Sequence, residues 1–276
     1  MDFVAYCLSQ SCAEKSEPQQ ETPMKKSLKI FLLSLVIISL GVGSTFAAIW
    51  SSTSVSMLYG TKNQAIVFNP DTMSLEGEDQ DMTIMTIEHA SAWKYGDNFF
   101  FFDIKQPFDT GSSLYGEWHP RLSMGKMTGS NFGFSIVKDV LIATEINISD
   151  ASRVYLYGLG FDLDIPHFQF FALNFFIRND VNIEEETTYQ ISPSWNVPFN
   201  IGSASFQFRG FLDYSGTAGG SEAQFLMQPQ LLLDIGSFSD KPGNFYAGVE
   251  YQYWQNKFGI KDLDENYVQL MGKWVF

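Results

Sequence analysis

Disulfide chemistry is missing from almost the whole chain. Both of its cysteines, Cys7 and Cys12, lie close to the N-terminus of the 276-residue sequence. An exported protein without disulfides needs another source of rigidity, because small secreted soluble domains more often depend on such bridges. A hydrogen-bonded sheet that closes on itself would supply that rigidity.

Long apolar runs are missing as well. After residue 47 no segment approaches the roughly 20 consecutive apolar residues that a membrane helix needs. Aromatic residues are nevertheless abundant, with 26 Phe, 12 Tyr and 6 Trp, while mean hydropathy is close to neutral at -0.06. This combination is expected when one face of each strand meets lipid and the other meets water.

Basic residues are scarce relative to acidic ones, 17 against 31, which gives a formal net charge of -14. This balance argues against nucleic acid as a partner, because nucleic-acid binding relies on basic patches. The chain has three histidines, and no second His or Cys stands at ligand spacing from His119. The sequence therefore predicts no metal site, and because no nucleotide-binding loop is visible it predicts no cofactor.

The N-terminal region has the layout of an export signal. Met24 is a second apparent start, and it is followed by lysines, an apolar run over Ile30–Val42 and small residues over Ser44–Ala48. This order is typical of a secretory signal peptide cut after Ala47, with a cut after Ala48 as the alternative. The sequence is thus predicted to contain three parts: 1–23, an upstream extension or misassigned start; 24–47, a signal peptide; and 48–276, an outer-membrane β-barrel channel.

The last eleven residues, Asn266–Phe276, alternate without a break. The face that holds Val268 and Leu270 is apolar or small, whereas the face that holds Gln269 is more polar. A tilted strand of this length crosses a bilayer, and in lipid a closed barrel is the spanning sheet that leaves no edge unpaired. An amphipathic edge strand of a soluble sheet is the alternative. A closing Phe276 also resembles the assembly signal of bacterial outer-membrane barrels, which implies the barrel assembly machinery as a partner.

Short alternating segments recur along the chain with turn-forming residues between them. The polar, acidic stretch Gly60–Asp81 is interpreted as a long loop, and Val197–Gly202 as a short connection grouped with the turns on the periplasmic side. The fold class predicted is all-β, a transmembrane antiparallel β-barrel of about twelve strands: Thr53–Tyr59, Thr83–Trp93, Asn98–Lys105, Tyr115–Met124, Lys138–Ile148, Arg153–Asp164, His167–Arg178, Thr187–Asn196, Ser203–Tyr214, Glu222–Ile235, Phe245–Asn256 and the C-terminal strand.

Polar and apolar faces agree from strand to strand. Glu117 and Arg121 share a face that opposes Trp118, and Asp162 opposes Phe161 on a later strand. A slip of one residue would turn each charged row into lipid, at about 2–4 kcal/mol per basic group at the bilayer midplane. The register is therefore predicted to be well fixed, around a polar lumen with both signs of charge.

Several short motifs resemble one family. The chain is similar to the nucleoside-specific channel-forming proteins of the bacterial outer membrane, the Tsx type with its OmpK-like phage-receptor relatives, in these segments: His119–Ser123, Lys126–Gly129, Phe132–Phe134, Val137–Asp139, Tyr157–Asp162 and Trp195–Phe199. The resemblance covers nearly all of 48–276. It implies a narrow twelve-stranded barrel in the outer membrane of a Gram-negative bacterium that passes nucleosides by diffusion. It implies outer-membrane lipids around the barrel and phage as a further partner.

A nucleoside has a flat base and a hydroxyl-rich sugar, so a selective channel should offer aromatic faces beside polar groups. The predicted pore-lining, substrate-binding candidates are inward-phase aromatics and charged residues: Phe99, Phe101, Asp103, Glu117, Arg121, Asp162, Phe176, Arg178, Arg209, Asp213, Tyr246 and Glu250. Two alternatives stay open. The first is that any single Phe belongs to the lipid-facing band and does not line the pore. The second is that the charged residues form networks in the barrel wall, in which they pair with one another and do not contact substrate.

An enzyme is a further alternative, because some outer-membrane barrels are lipases with a His and a Ser two residues apart. His89 and Ser91 meet that minimum, but no third residue is in place to orient the His. The sequence therefore predicts no catalytic residue and no enzyme, with the lipase or phospholipase as one alternative. A non-selective small porin or a phage-docking barrel is the other.

The predicted cleavage site can be checked by mass spectrometry of the exported protein. The mature N-terminus is expected at Ala48 or Ile49, and Thr45→Trp should block processing because the position three residues before the cut requires a small side chain. An exported chain that keeps residues 24–47 would contradict the signal peptide.

Overall fold

The computed structural model describes residues 48–109, 111–181 and 187–276. Within them the backbone forms twelve strands and one short helix, in this order: β1 Ala48–Asn69, β2 Ser74–Trp93, β3 Gly96–Lys105, β4 Ser113–Ser123, α1 Met124–Thr128, β5 Val137–Ser149, β6 Arg153–Leu163, β7 Phe170–Asp180, β8 Thr187–Ile201, β9 Ala204–Ser215, β10 in two segments, Gln224–Met227 and Gln230–Asp234, β11 Phe245–Gln255 and β12 Glu265–Val275. Single 3₁₀ turns occupy Ile235–Phe238 and Lys257–Gly259. The predicted extension and signal peptide lie outside the described residues.

The strands form a closed ring. Each strand pairs with its sequence neighbours, and β12 pairs with both β11 and β1. The closing register runs from Ser54 opposite Val275 to Tyr59 opposite Leu270. Because the first strand, β1, and the last strand, β12, pair with each other, the sheet formed by the described residues has no free edge. The predicted antiparallel barrel of about twelve strands is confirmed.

Side chains alternate between the lumen and the outer surface. On β12, Glu265 and Gln269 are fully buried inside the ring, whereas Val268 and Leu270 are 56% and 66% exposed on its outside. The same outward position is taken by large apolar residues of other strands, among them Trp118, Ile142, Tyr157, Leu159, Phe175, Ile177, Phe208 and Leu231. The faces therefore follow the pattern that the sequence predicts, with an apolar exterior and a polar interior.

The interval Gly60–Asp81 is not a loop, and that prediction was wrong. β1 and β2 continue through it as one long hairpin whose tip lies between Asn69 and Ser74. Polar side chains stabilise it across the strands: the Tyr59 hydroxyl donates to Asp81 at 2.8 Å, and the Asn69 amide donates to both oxygens of Glu76 at 3.0 Å. The polar composition misled the interpretation, because backbone pairing does not require apolar side chains outside the membrane.

The prediction of a connection over Val197–Gly202 was wrong as well. β8 continues to Ile201, which pairs with Ala204, and the turn lies at Gly202 with φ +60°. Pro198 lies inside the strand, opposite Gln207, although proline cannot donate to the ladder. The strand continues past it, and Phe199 stacks on Phe206 with ring centroids 5.4 Å apart.

One strand is interrupted, and a proline accounts for it. The two segments of β10 flank Gln228 and Pro229, and both segments pair with β9 and β11. Opposite the break, a side chain at Gly210 would stand 2.5 Å from the Gln228 carbonyl oxygen. The local bulge thus depends on a proline without an N–H group and on a glycine that admits the backbone.

The two ends of the barrel differ in their connections. At the end that holds Phe276, here the Phe276 end, the links are 94–95, 124–136, 164–169, 202–203 and 235–244. The 124–136 link contains α1, which Ser123 caps at its start and Gly129 ends at φ +72°. The opposite end, here the hairpin end, carries the β1–β2 hairpin. No helix among the described residues is long and apolar enough to cross a membrane.

The register predicts the cost of a charge on the outer face. Leu270 lies midway along β12 and faces outward, so Leu270→Lys should destabilise the barrel by about 2–4 kcal/mol. Asn266→Lys, on the same face near the strand end, should cost about 0–1 kcal/mol. Equilibrium unfolding in lipid vesicles measures both, and equal costs at the two positions would contradict the register.

Candidate functional site: the polar lumen

A cavity of about 420 Å³ lies inside the barrel. It is within the range of small-molecule sites, which are typically about 300–1,000 Å³. Its lining comes from strands on all sides of the ring and combines aromatic, acidic and basic side chains, which include Phe99, Phe101, Asp103, Glu117, His119, Arg121, Glu145, Arg209, Asp213 and Glu250. The strands bring these side chains together because every second residue of each strand faces the same interior.

An ion pair crosses the lumen. Arg209 on β9 donates from Nη2 to both oxygens of Glu88 on β2, at 3.0 and 3.2 Å. Counted round the ring, these strands are five apart in one direction and seven in the other, so the two residues stand on facing walls. Lys273 on β12 donates to the same carboxylate at 2.8 Å. The bridge therefore narrows the passage and ties opposite walls together.

A second network lies nearer the Phe276 end. Arg121 donates to both oxygens of Asp97 at 2.8 Å and from Nη1 to Asp162 at 2.9 Å. The bidentate geometry with Asp97 is the strong form of an arginine–carboxylate contact. The Arg121 guanidinium is therefore fixed to the wall by β3 and β6.

Asp213 belongs to a third network, on β7, β8 and β9. Ser192 donates its hydroxyl proton to Asp213 at 2.5 Å, and the Gln190 amide donates to Asp213 at 3.2 Å. Arg178 donates to the Gln190 side-chain oxygen at 2.8 Å. The carboxylate is thus held by neutral donors and linked to the cation through an amide.

Two other lumenal carboxylates also rest on neutral donors. Thr86 donates to Asp103 at 2.6 Å, and Glu250 accepts from Gln230 at 2.7 Å and from Gln269 at 3.0 Å. Since these donors carry no charge, both carboxylates are held without a direct ion pair in the described residues. They leave acceptor capacity available to a neutral or cationic solute.

Aromatic rings form a row beside these acceptors. Phe99 and Phe101 face the cavity from β3, with ring centroids 6.1 Å apart. Phe101 contacts Tyr115 at 6.0 Å, and Phe99 meets the edge of His119 at 5.5 Å. The row thus runs along β3 and onto β4, next to Asp103 and Glu117.

His119 stands between two carboxylates. Its Nε2 lies 2.8 Å from Glu117, and its Nδ1 lies 3.3 Å from Glu145 on β5. The Tyr115 hydroxyl hydrogen-bonds the other oxygen of Glu117. Glu117 and Glu145 are both at least nine-tenths buried. This cluster of Glu117, His119 and Glu145 is called the His119 cluster below.

Polar contacts also close the wall at the hairpin end. Lys257, in the β11–β12 connection, pairs with Glu265 and donates to the Gln64 carbonyl oxygen at 2.8 Å. Burial lowers the pKa of Lys257 from its ordinary value, and the Glu265 carboxylate opposes that shift. The connection is thereby tied to the long β1–β2 hairpin.

The structure brings eight of the twelve candidate residues to the cavity and leaves four outside its lining. Asp162 is behind Arg121, Arg178 is bonded to Gln190, Phe176 packs with Ala143 and Leu156, and the Tyr246 hydroxyl accepts from Gln207 at 3.0 Å. Sequence reasoning missed Glu88, Glu145 and Lys273. Their inward phase on β2, β5 and β12 was the available signal, but the partner of each lies on another strand.

The pair that suggested a lipase has other contacts. His89 Nδ1 lies 2.8 Å from the Thr53 hydroxyl, and the ring stacks on Phe100 with centroids 5.1 Å apart. A hydroxyl, not a carboxylate, thus occupies the position of the group that would orient the imidazole. Ser91 lies opposite Asn98 in the β2–β3 register.

Comparison with known proteins places this barrel and its motifs in one family. Residues 68–271 match the family described as "Nucleoside-specific channel-forming protein, Tsx". The chain belongs to the Tsx family. This membership places the barrel in the bacterial outer membrane.

Individual relatives are more distant. The chain is 24% identical over 155 residues to outer membrane protein OmpK of Vibrio parahaemolyticus. The alignment covers 55% of this chain and 58% of that protein. It is 24% identical over 172 residues to an OmpK of Vibrio parahaemolyticus serotype O3:K6. That alignment covers 56% of this chain and 64% of the relative. The chain thus spans about three fifths of the relatives it matches.

Solved structures resemble it loosely. The KdgM porin aligns with a TM-score of 0.47 at 9% identity. The alignment covers 81% of this chain and 99% of the porin. The translocator domain of the autotransporter NalP from Neisseria meningitidis aligns with a TM-score of 0.33 at 10% identity. The alignment covers 92% of this chain and 97% of the domain.

The crossing ion pair in this Tsx-family barrel generates a prediction. Arg209→Ala should raise single-channel conductance, because it removes the side chain that spans the lumen. It should also lower the free energy of unfolding by about 1.5–3 kcal/mol, the range for losing a hydrogen bond to a charged group. Planar-bilayer recording tests the first effect, with the exposed Arg153→Ala as control. Unchanged conductance in Arg209→Ala would show that the bridge does not limit the pore.

Proposed function

We propose that the chain forms a passive outer-membrane channel for nucleosides. The observation that carries the proposal is the combination of the Phe99–Phe101 row with carboxylate acceptors held by neutral donors inside one cavity of about 420 Å³. A nucleoside needs both surfaces at once, a ring face for the base and acceptors for the ribose hydroxyls. The row on β3 and the carboxylates of Asp103, Asp213 and Glu250 offer them within one lumen.

The charges favour an uncharged solute. Asp103, Asp213 and Glu250 accept from neutral donors, so they can accept from sugar hydroxyls without first breaking an ion pair. Arg121 is already paired with Asp97 and Asp162 and acts as wall. A solute that carries phosphate would meet repulsion from the three carboxylates, which separates nucleosides from nucleotides.

Transport is passive in this proposal, because no energy-coupling motif is visible in residues 48–276. Each contact must also be weak, since conduction requires release as well as entry. Phe99 and Phe101 would form successive weak stacking sites, each worth about 1–3 kcal/mol. Family membership supports the solute class, and the proposal extends it to this chain. The barrel assembly machinery during export and phage at the cell surface remain expected partners, and the signal peptide over 24–47 remains a prediction.

Current block in planar bilayers tests the proposal. Nucleosides should reduce the ion current at lower concentration than sugars or amino acids of similar size. Phe101→Ala should raise the blocking concentration about fivefold or more, which corresponds to about 1 kcal/mol of lost stacking. The same measurement on Phe99→Ala should give the same direction.

Phe102→Ala is the matched control, because Phe102 is the next residue of β3 and lies 42% exposed on the outer face. It should leave the block unchanged. Sugars that block as well as nucleosides would replace the proposal by the non-selective small porin, and the absence of any pore would leave a docking barrel.

A further inference from the structure

The His119 cluster has the geometry of a metal site. Glu117 and His119 are two apart on β4, so both face the lumen, and Glu145 reaches them from the neighbouring strand β5. One ligand atom from each of the three residues lies within 4.8 Å of the other two. A tetrahedral Zn²⁺ with bonds of about 2.0–2.2 Å separates its ligand atoms by about 3.3–3.6 Å, so the two carboxylates would have to close on one ring nitrogen of His119 to share an ion.

The imidazole lies between two carboxylates. Its Nε2 hydrogen-bonds Glu117 at 2.8 Å, whereas its Nδ1 lies 3.3 Å from a Glu145 oxygen. A neutral imidazole has one N–H group, so its other ring nitrogen offers a lone pair. A second proton or a metal ion can take that position.

A buried amide gives independent support for the metal. Asn147 stands opposite Glu117 in the β4–β5 register and is 7% exposed. Its Oδ1 has no hydrogen-bond partner among the described residues. A buried acceptor without a donor is costly, and a proton on His119 would leave it unsatisfied. A metal ion in the cluster would offer Oδ1 a positive partner.

We propose that Glu117, His119 and Glu145 bind one divalent transition-metal ion of the Zn²⁺ class in the wall of the pore, with Asn147 Oδ1 as a fourth ligand. Imidazole with carboxylate and amide oxygens suits zinc and its neighbours and suits Ca²⁺ less well, because imidazole is not a calcium ligand of choice. His119 touches Phe99 at 5.5 Å. An ion there would neutralise part of the acidic lumen beside the aromatic row and lower the cation current.

Zinc binding to the untagged, metal-stripped barrel in detergent tests the proposal directly. One Zn²⁺ per barrel is expected by elemental analysis after dialysis, with X-ray absorption showing nitrogen and oxygen ligands at about 2.0–2.2 Å and no sulfur. His119→Gln and Glu145→Gln should each weaken binding at least about tenfold. Ca²⁺ at the same concentration should not compete.

Two matched controls isolate the cluster. His167→Gln and Glu78→Gln remove an exposed histidine and an exposed glutamate elsewhere, and both should keep the full affinity. Heat-modifiable migration on gels confirms that every variant is folded. The proposal is overturned when the folded parent binds no stoichiometric Zn²⁺, or when both cluster variants keep its affinity. Nucleoside block is measured on metal-free protein, so failure here leaves the channel proposal standing.

Discussion

Pairing of backbone N–H and C=O groups inside the bilayer is the constraint on which this structure depends. Lipid offers these groups no partner, so a spanning sheet must close. The closure is made between β1 and β12, from Ser54 opposite Val275 onwards. Once that register is set, every residue of the ring is assigned to lumen or lipid, because the side-chain period is two. The apolar belt and the polar cavity are two results of one pairing.

Charge inside the closed ring follows a second rule, since buried ions need partners. Arg121 is satisfied locally by Asp97 and Asp162, whereas Arg209 finds Glu88 on the facing wall. Local pairs leave the passage open, and the crossing pair narrows it. Asp103, Asp213 and Glu250 have neutral donors, and they supply the acceptors that a polar solute can use. The lumen thus combines a fixed frame with a small number of groups able to exchange partners.

Much of this architecture can be predicted from the sequence, because alternation is local. The faces of β4, β6, β9 and β12 follow from short windows, and the closing strand indicates the barrel. The β1–β2 hairpin was missed because residues such as Asp79 and Asp81 suggest a loop, although their side chains pair across the strands. The contacts of Glu88 with Arg209 and of His119 with Glu145 depend on barrel size and stagger. No local pattern contains that information.

The central claim is that the lumen-facing aromatic row Phe99–Phe101 on β3 receives the solute. Residues 13–276 contain no cysteine, so single cysteines at each position from Phe99 to Ile104 can be labelled with a membrane-impermeant thiol reagent, with and without nucleoside. The account predicts labelling at 99, 101 and 103, none at 100, 102 and 104, and slower labelling at 99 and 101 when nucleoside is present. Equal labelling on both faces, or rates at 99 and 101 that nucleoside does not change, would contradict it.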